Sequence, residues 1–291
     1  MSVVDAHTHV FSSDVIRDRA AYLKREPWFG LLYERETAAA IGAADLRAEM
    51  DRAGVTSAVA CGFPWRDLGI CRQENDALAD VAAASAGRIA WLASVPLGGG
   101  RAAAREAERA FALGAVGLGE LNADGQGFDL RATLSLAEVV DICIGADRPL
   151  LLHASEPVGH DYPGKGSATP DRLLEFVAAF PTLRVVFAHW GGGLPFYELM
   201  PEVNALCSNV WYDTAASTYL YRPAVFRAVL DVVGPGRVLW GSDYPVLGMA
   251  RFLHRTLERG DLHPDEIAPV LGGNARALYG LPEREPEGEQ R

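Results

Sequence analysis

The chain is poor in cysteine, with four among 291 residues, and no two of them form a Cys-x-x-Cys pair. This spacing offers neither a disulfide framework nor a thiolate metal site. We therefore expect Cys61, Cys71, Cys143 and Cys207 to be free thiols. A Gly-x-Ser-x-Gly motif is also missing, so the sequence gives no support for a serine hydrolase.

Positive charge and long apolar runs are scarce as well. The 27 Lys and Arg residues face 38 Asp and Glu residues, which leaves a net charge of −11 with no basic cluster. Nucleic acids and anionic membranes need a basic footprint, and a membrane helix needs about 20 apolar residues in a row. We expect neither partner, and a small-molecule ligand instead. The opening residues lack the pattern of a signal peptide, so we expect a cytoplasmic protein.

Short apolar runs alternate with longer amphipathic stretches along the whole chain, which is typical of βαβ units and a parallel sheet. The candidate strands are residues 3–7, 57–63, 89–96, 115–121, 150–154, 185–190, 210–214 and 238–242. The candidate helices are residues 44–53, 73–86, 101–113, 135–145, 170–180, 223–233 and 275–279. Eight strands with intervening helices predict a single-domain (β/α)₈ barrel over residues 1–281, with an open doubly wound sheet as the alternative.

Two segments depart from this alternation. Residues 11–43 form a long insertion after the first strand and carry the aromatic residues Tyr22, Trp28, Phe29 and Tyr33. Long connections inside a compact domain are usually functional, so we expect this insertion to lie over the barrel mouth. Residues 282–291 are charged and contain proline, and we expect a disordered tail there.

The first strand carries the motif DAHTH at residues 5–9. Side chains two residues apart in a strand point to the same face, so His7 and His9 can present their imidazoles to one ion. Asp5 is two residues before His7 and is expected to share that face and support a ligand. A lone His-x-His pair is a weak signal, because a strand histidine is more often a core residue.

Further candidate ligands stand at the ends of other strands. His153 ends the fifth strand, His189 the sixth, and Asp243 follows the eighth. In a βα barrel such residues meet at the C-terminal mouth. Neutral imidazoles with one carboxylate suit a divalent ion, zinc first and manganese or iron as alternatives. Asp243 would accept a proton from attacking water, while His189 would orient that water or polarise the substrate oxygen.

Glu120 has two interpretations. It ends the fourth strand in the run GLGEL, on the same barrel face as the histidines. It could be a ligand that bridges two metal ions. It could equally be a supporting group or the ion-pair partner of an Arg or His side chain.

Loops at the same face supply candidate substrate contacts. His160 and Lys165 follow the fifth strand, Tyr221 follows the seventh, and Arg66 follows the second. Arg66 would be the natural clamp for a carboxylate. Ordinary loop packing is the alternative for each of them.

Five sequence motifs together resemble the amidohydrolase superfamily, in the amidohydrolase 2 branch that includes ACMS decarboxylase. They are DAHTH at residues 5–9, LLLH at 150–153, VFAH at 186–189, LWGSDYP at 239–245 and LGGNARAL at 271–278. The resemblance spans residues 3–281. It implies metal ligation by His7, His9, His153 and Asp243, with His189 acting on water or substrate.

The same resemblance also indicates how many metal ions and which reactions to expect. Where many superfamily members carry a bridging lysine on the fourth strand, this chain has Glu120. That difference implies one metal ion, or two joined by Glu120. Our first hypothesis is hydrolysis of a small amide, lactone or ester by metal-activated water. The second is non-oxidative decarboxylation of an aromatic or unsaturated acid, and the third is a catalytically silent barrel used for binding. A homodimer is typical of the resembled branch.

Overall fold

Eight parallel strands lie side by side in the order in which they occur along the chain. They are β1 (Val4–His9), β2 (Ser57–Cys61), β3 (Ile89–Ala93), β4 (Gly117–Leu121), β5 (Leu150–Leu152), β6 (Val185–Phe187), β7 (Val210–Asp213) and β8 (Val238–Leu239). In the computed structural model, which describes residues 2–35 and 37–284, the segment after β8 closes onto β1. Ala6 N donates to Trp240 O at 2.9 Å, and Asp243 N donates to His7 O at 2.9 Å. The predicted (β/α)₈ barrel is confirmed.

Helices surround the strands and fill the connections. Their bounds are Ser13–Arg17, Arg19–Arg25, Pro27–Tyr33, Ala43–Ala53, Leu68–Ala84, Gly100–Ala112, Ala123–Gln126, Thr133–Gly145, Pro170–Ala179, Pro201–Leu206, Ser217–Leu220, Val225–Val233, Met249–Arg259, Pro264–Ala268 and Asn274–Tyr279. Helix Ala43–Ala53 ends at Gly54, whose φ of 67° is the left-handed cap conformation that glycine favours. All seven predicted helices are present, with ends shifted by up to five residues.

The largest shift has a local cause. The helix predicted at residues 73–86 begins at Leu68, because the Asp67 carboxylate accepts hydrogen bonds from Gly69 N at 2.7 Å and Ile70 N at 3.1 Å. This N-cap satisfies donors that the first helical turn leaves free. Helices Met249–Arg259 and Pro264–Ala268 were not predicted from the sequence.

The barrel interior is closed at the end opposite the strand C-termini. Side chains from several strands, including Val59 and Leu151, pack there against Leu278 and Tyr279 of the last helix. Tyr279 is 2% exposed, so the plug excludes solvent from that end. Within the described residues, the C-terminal mouth is therefore the open end of the barrel.

The insertion after β1 lies over that mouth, as predicted. Its three short helices between Ser13 and Tyr33 are fixed by an aromatic cluster. The buried Phe29 ring stacks on Tyr33 at 4.7 Å between centroids and contacts Trp65 at 5.0 Å and Phe63 at 5.2 Å. Because Phe63 and Trp65 follow β2, the cluster joins the insertion to the barrel.

Among the described residues, no helix combines the length and the apolar character needed to cross a membrane. The charged tail predicted at residues 282–291 falls largely outside the described part of the chain, since the structure describes residues only up to 284 there.

Candidate metal centre and cavity

The predicted site residues converge at the C-terminal mouth of the barrel. His7 and His9 lie on β1 and Glu120 on β4, whereas His153, His189 and Asp243 each follow a strand end. All six are buried or nearly so. Their donor atoms form two groups of three.

The first group joins the two ends of the sheet. Nε2 of His7 lies 3.2 Å from Nε2 of His9. The Asp243 carboxylate completes the group, with Oδ1 3.2 Å from His9 Nε2 and 3.8 Å from His7 Nε2. We refer to these three residues as the β1–β8 triad.

The second group lies across the mouth. Nδ1 of His153 is 3.0 Å from Oε1 of Glu120, and Nε2 of His189 is 3.2 Å from His153 Nδ1 and 3.3 Å from the same Glu120 oxygen. We refer to Glu120, His153 and His189 as the β4–β6 triad.

Glu120 faces both triads at once. While Oε1 lies in the β4–β6 triad, Oε2 lies 3.7 Å from His9 Nε2 and 3.8 Å from His7 Nε2. Both interpretations of Glu120 in the sequence analysis, ligand and ion-pair partner of histidine, are compatible with this position.

The hydrogen bonds behind the imidazoles indicate which ring atoms can bind a cation. Nδ1 of His7 lies 2.7 Å from the Asp213 carboxylate, and Nδ1 of His9 lies 3.3 Å from Gly62 O. Both partners accept, so each Nδ1 carries the proton and each Nε2 has a free lone pair. Two lone pairs 3.2 Å apart beside the Asp243 carboxylate repel unless a cation lies between them. This donor set fits a divalent transition metal.

Asp213 was missed in the sequence analysis. It ends β7, is 1% exposed, and its Oδ1 accepts hydrogen bonds from His189 N at 2.9 Å and Ala215 N at 3.0 Å. Its other oxygen orients His7. A carboxylate at the end of an apolar strand was the available signal, since β7 reads Val-Trp-Tyr-Asp.

Asp5 was expected to share the face of the histidines, and this position was wrong. A bulge places one extra residue on β1 between Asp5 and Thr8, so Asp5 does not share the face of the two histidines. Its Oδ1 instead accepts from His7 N at 3.2 Å and Ser242 N at 2.9 Å. Asp5 therefore holds the backbone of the two site-bearing segments. Burial raises the pKa of the Asp5 carboxyl to about 7.

The strand predicted at residues 185–190 ends at Phe187, because His189 and Trp190 adopt left-handed conformations with φ of 56° and 57°. The Asp213 carboxylate stabilises this turn through His189 N. The turn directs the His189 ring into the site rather than along the strand. Its Nδ1 lies 3.3 Å from Ala215 O, which leaves Nε2 facing Glu120.

The site attracts positive charge. Burial acts to lower the pKa of the His7 imidazole, but the carboxylates of Asp213, Glu120 and Asp243 together outweigh it and raise this pKa to about 10. Burial likewise opposes charge on His189, but the carboxylates of Glu120, Asp243 and Asp213 together outweigh it and raise the His189 pKa to about 9. Burial alone would raise the pKa of Glu120, yet the imidazoles of His153 and His189 hold it well below its usual range. A divalent cation would compete with protons for these groups.

A cavity of about 550 Å³ leads from solvent to the two triads. This volume is within the range of small-molecule sites, about 300–1,000 Å³. Trp28, Leu32 and Tyr33 of the insertion form one wall, and Tyr219 and Leu220 contribute from the connection after β7. The walls are mainly aromatic and aliphatic, and the floor is polar.

The four predicted substrate contacts occupy different places. His160 lines the cavity. Lys165 donates to Val158 O at 3.3 Å and His160 O at 3.1 Å within its own loop. Arg66 is exposed and lies near Gly127, while the Tyr221 hydroxyl lies beside Glu156, so these two and Lys165 are outside the cavity lining of the described chain.

Two characterised proteins have related sequences. The chain is 29% identical over 172 residues to the L-fucono-1,5-lactonase of Burkholderia ambifaria, covering 50% of this chain and 58% of that protein. It is 29% identical over 139 residues to the 6-methylsalicylic acid decarboxylase of Penicillium expansum, covering 41% and 42%. The chain thus spans about half the length of the curated relatives that it matches.

Solved structures share the fold at lower identity. The 5-carboxyvanillate decarboxylase of Sphingomonas paucimobilis has a TM-score of 0.80 and 20% identity, with 97% of this chain and 99% of that chain covered. The 5-carboxyvanillate decarboxylase of Novosphingobium aromaticivorans, solved with manganese and 4-hydroxy-3-methoxy-5-nitrobenzoic acid, has a TM-score of 0.79 and 18% identity, with 96% of each chain covered. At such identities the likeness shows the fold.

A sequence profile tests membership over the whole barrel. The profile described as Amidohydrolase matches residues 4–281, from β1 to just beyond the last helix. The matched region contains both triads and Asp213. The chain belongs to the amidohydrolase family.

Proposed function

We propose that this chain is a metal-dependent, non-oxidative decarboxylase of aromatic acids. The observation that carries the proposal is the cavity, whose flat apolar walls lead down to a floor of imidazoles and carboxylates. A planar ring fits between such walls, with its carboxylate at the floor. The sequence analysis ranked hydrolysis first. The relatives support decarboxylation better, since one matched protein and both solved structures are decarboxylases.

We assign the metal ligands to His7, His9, Asp243 and His153, with Glu120 facing both triads. A divalent ion at this position would supply Lewis-acid polarisation of the substrate oxygen atoms. The N. aromaticivorans enzyme, solved with manganese, supports a divalent ion here as well. Manganese or zinc both suit the donor set, and elemental analysis decides between them.

The proton that replaces the carboxyl group comes from His189. Because Nδ1 of His189 donates to Ala215 O, Nε2 is the atom that faces the cavity floor and can give up a proton. Oε1 of Glu120, 3.3 Å from Nε2, favours the protonated ring. In the reaction, the bond between ring carbon and carboxyl carbon breaks and its electron pair remains on the ring carbon. That carbon takes the proton from His189, and carbon dioxide leaves.

The test follows the fate of the carboxyl group. Protein reconstituted with manganese or zinc is incubated in D₂O with a panel of hydroxybenzoates. We expect release of carbon dioxide and one deuterium at the ring position that carried the carboxylate. Hydrolysis of a lactone or ester, with no carbon dioxide from any aromatic acid, would overturn the proposal.

A matched pair of variants tests the role of His189. His189→Gln should lower kcat by about 10²–10⁴-fold with metal content and ligand affinity retained. His254→Gln is the control, since His254 is exposed and pairs with Glu258 on its own helix. A His189→Gln enzyme with parental kcat would assign the proton to another group.

Hydrolysis remains the second candidate because of the lactonase relative. In that reaction Asp243, whose Oδ1 lies 3.2 Å from His9 Nε2, would accept a proton from water. Uptake of ¹⁸O from labelled water without loss of carbon dioxide is the discriminating result. A catalytically silent barrel, the third hypothesis, would hold no stoichiometric metal and turn over neither class of substrate.

A further inference from the structure

The titratable groups that line the cavity, apart from tyrosines, are imidazoles and carboxylates. Apart from tyrosines, the titratable lining residues in the described chain are His9, Glu120, His153, His160, His189 and Asp243. Lysine and arginine do not line it anywhere within residues 2–35 and 37–284. The protein thus contributes two carboxylates to the floor and no permanent positive charge to the walls.

Three basic side chains in segments next to the cavity contact other groups of the protein. The Lys165 ammonium donates to two carbonyls of its own loop and lies 3.8 Å from the Asp161 carboxylate. Arg19 donates to Tyr33 O, and its guanidinium lies 6.0 Å from the centroid of the Tyr33 ring. Arg66 is exposed next to Gly127. None of the three is among the residues that line the cavity.

The rest of the lining is mainly carbon surface, with polar groups from Thr37, Asn122, His160, Tyr162 and Tyr219. Its apolar members are Trp28, Leu32, Tyr33, Phe63, Pro64, Pro163, Leu220, Pro245 and Val246. A neutral methyl or ring carbon placed against them gains by leaving water. A carboxylate in the same place loses its hydration and meets no lysine or arginine among the described lining residues, so its placement there is unfavourable.

We infer that the substrate carries a single acidic group at the reacting end, and that its other ring substituents are uncharged and mainly apolar. This inference rests on the proposed function, because it assumes that the reacting carboxylate lies at the floor. The inference adds a preference for uncharged ring substituents, which the reaction type alone does not determine. A ring with a second carboxylate would place that group against the apolar walls, and the wild-type cavity should reject it.

Binding of unreactive analogues tests this without turnover. In 2-nitrophenols the planar nitro group replaces the reacting carboxylate and cannot be released. Analogues with methyl, carboxamide or carboxylate at ring position 4, 5 or 6 are titrated calorimetrically into metal-loaded protein. Carboxamide and carboxylate have nearly the same shape, so their difference isolates the charge. We expect each carboxylate analogue to bind at least about 30-fold more weakly than its carboxamide.

A variant that adds a positive charge to the cavity wall tests the same inference in the opposite direction. Val246 lines the cavity and is 46% exposed, so a longer side chain can enter without loss of core packing. Val246→Lys should improve binding of at least one carboxylate analogue by about 10-fold relative to its carboxamide. Val246→Met is the matched control and should leave the ratio unchanged.

The outcomes separate this inference from the proposed function. Equal affinity of the parent protein for carboxylate and carboxamide analogues overturns the inference, as does failure of the methyl analogue to bind or an unchanged ratio in Val246→Lys. If the charge discrimination holds while no aromatic acid loses carbon dioxide, the reaction is wrong and the charge selectivity of the cavity stands.

Discussion

The Asp213 carboxylate lies 2.7 Å from Nδ1 of His7, and its other oxygen accepts backbone hydrogen bonds from His189 and Ala215. One carboxylate at the end of β7 therefore fixes the tautomer of His7 and the left-handed turn that directs His189. Both triads depend on it although it belongs to neither.

Asp213→Asn should weaken metal binding by about 10–100-fold. The two backbone donors at Oδ1 require an acceptor there, so the new amide NH₂ must face His7 Nδ1. That contact moves the His7 proton to Nε2 and removes a lone pair from the β1–β8 triad. Metal titration of the apoprotein measures the effect. Asp141→Asn is the control, because Asp141 is exposed on the helix Thr133–Gly145. Equal affinities in parent and Asp213→Asn would show that this tautomer is unimportant.

Elemental analysis of the parent protein should find about one equivalent of divalent transition metal. In the β1–β8 triad both Nε2 lone pairs are free, whereas Nε2 of His189 in the β4–β6 triad is the atom that we propose to be protonated. Glu120→Gln should keep that single equivalent while binding it more weakly, because the amide carries no charge. Two equivalents in the parent, reduced to one in Glu120→Gln, would instead make Glu120 a bridging ligand.

The barrel and most of the site could be predicted from the sequence because their signals are local. Apolar runs predict strands, and a histidine or aspartate at the end of a run predicts a residue at the barrel mouth. His7, His9, His153 and Asp243 were found in this way. The prediction for Asp243 did not depend on the exact end of the eighth strand. β8 ends at Leu239, and Asp243 still lies next to His9.

The remaining features depend on contacts between distant segments. The bulge in β1 that turns Asp5 away from the histidines is a property of pairing with β2, which a period-two pattern does not contain. The position of Lys165 depends on which carbonyls its loop presents, Val158 O and His160 O. Asp213 ends an apolar run, but its contact with His7 could not be predicted, since the two residues are 206 positions apart in sequence.

Phe29→Ala should loosen the insertion and weaken substrate binding. Phe29 is fully buried and stacks on Tyr33, a residue of the cavity wall. Removing a buried phenyl ring costs about 3–5 kcal/mol of stability. Because Phe29 belongs to the insertion, we expect the insertion itself to be less stably packed on the barrel. We expect a raised KM with metal content unchanged, and faster proteolysis within residues 12–35. Leu31→Ala on the same helix is the control, because Leu31 is 56% exposed.

Stability in acid should depend on the Arg227–Glu266 pair. Arg227 donates to both Glu266 oxygens at 2.7 and 2.9 Å, and this lowers the pKa of Glu266 from 4.5 to about 2. Because the folded pKa lies below the unfolded one, the pair stabilises the protein fully above about pH 4.5, and its contribution disappears as the pH falls towards 2. Glu266→Gln should therefore lower the free energy of unfolding by about 1.5 kcal/mol at neutral pH.

The difference between parent and Glu266→Gln should then narrow between about pH 4.5 and 2. Denaturant titrations across this range measure it, with Glu175→Gln as the control. Glu175 also pairs with an arginine, Arg131, but its side chain is 53% exposed, and exposed pairs contribute little. A difference that stays constant down to pH 2 would mean that the Glu266 carboxylate is not stabilised by folding. The loss of stability in acid would then come from other carboxylates whose pKa folding lowers, such as Glu106, Glu120 and Asp243.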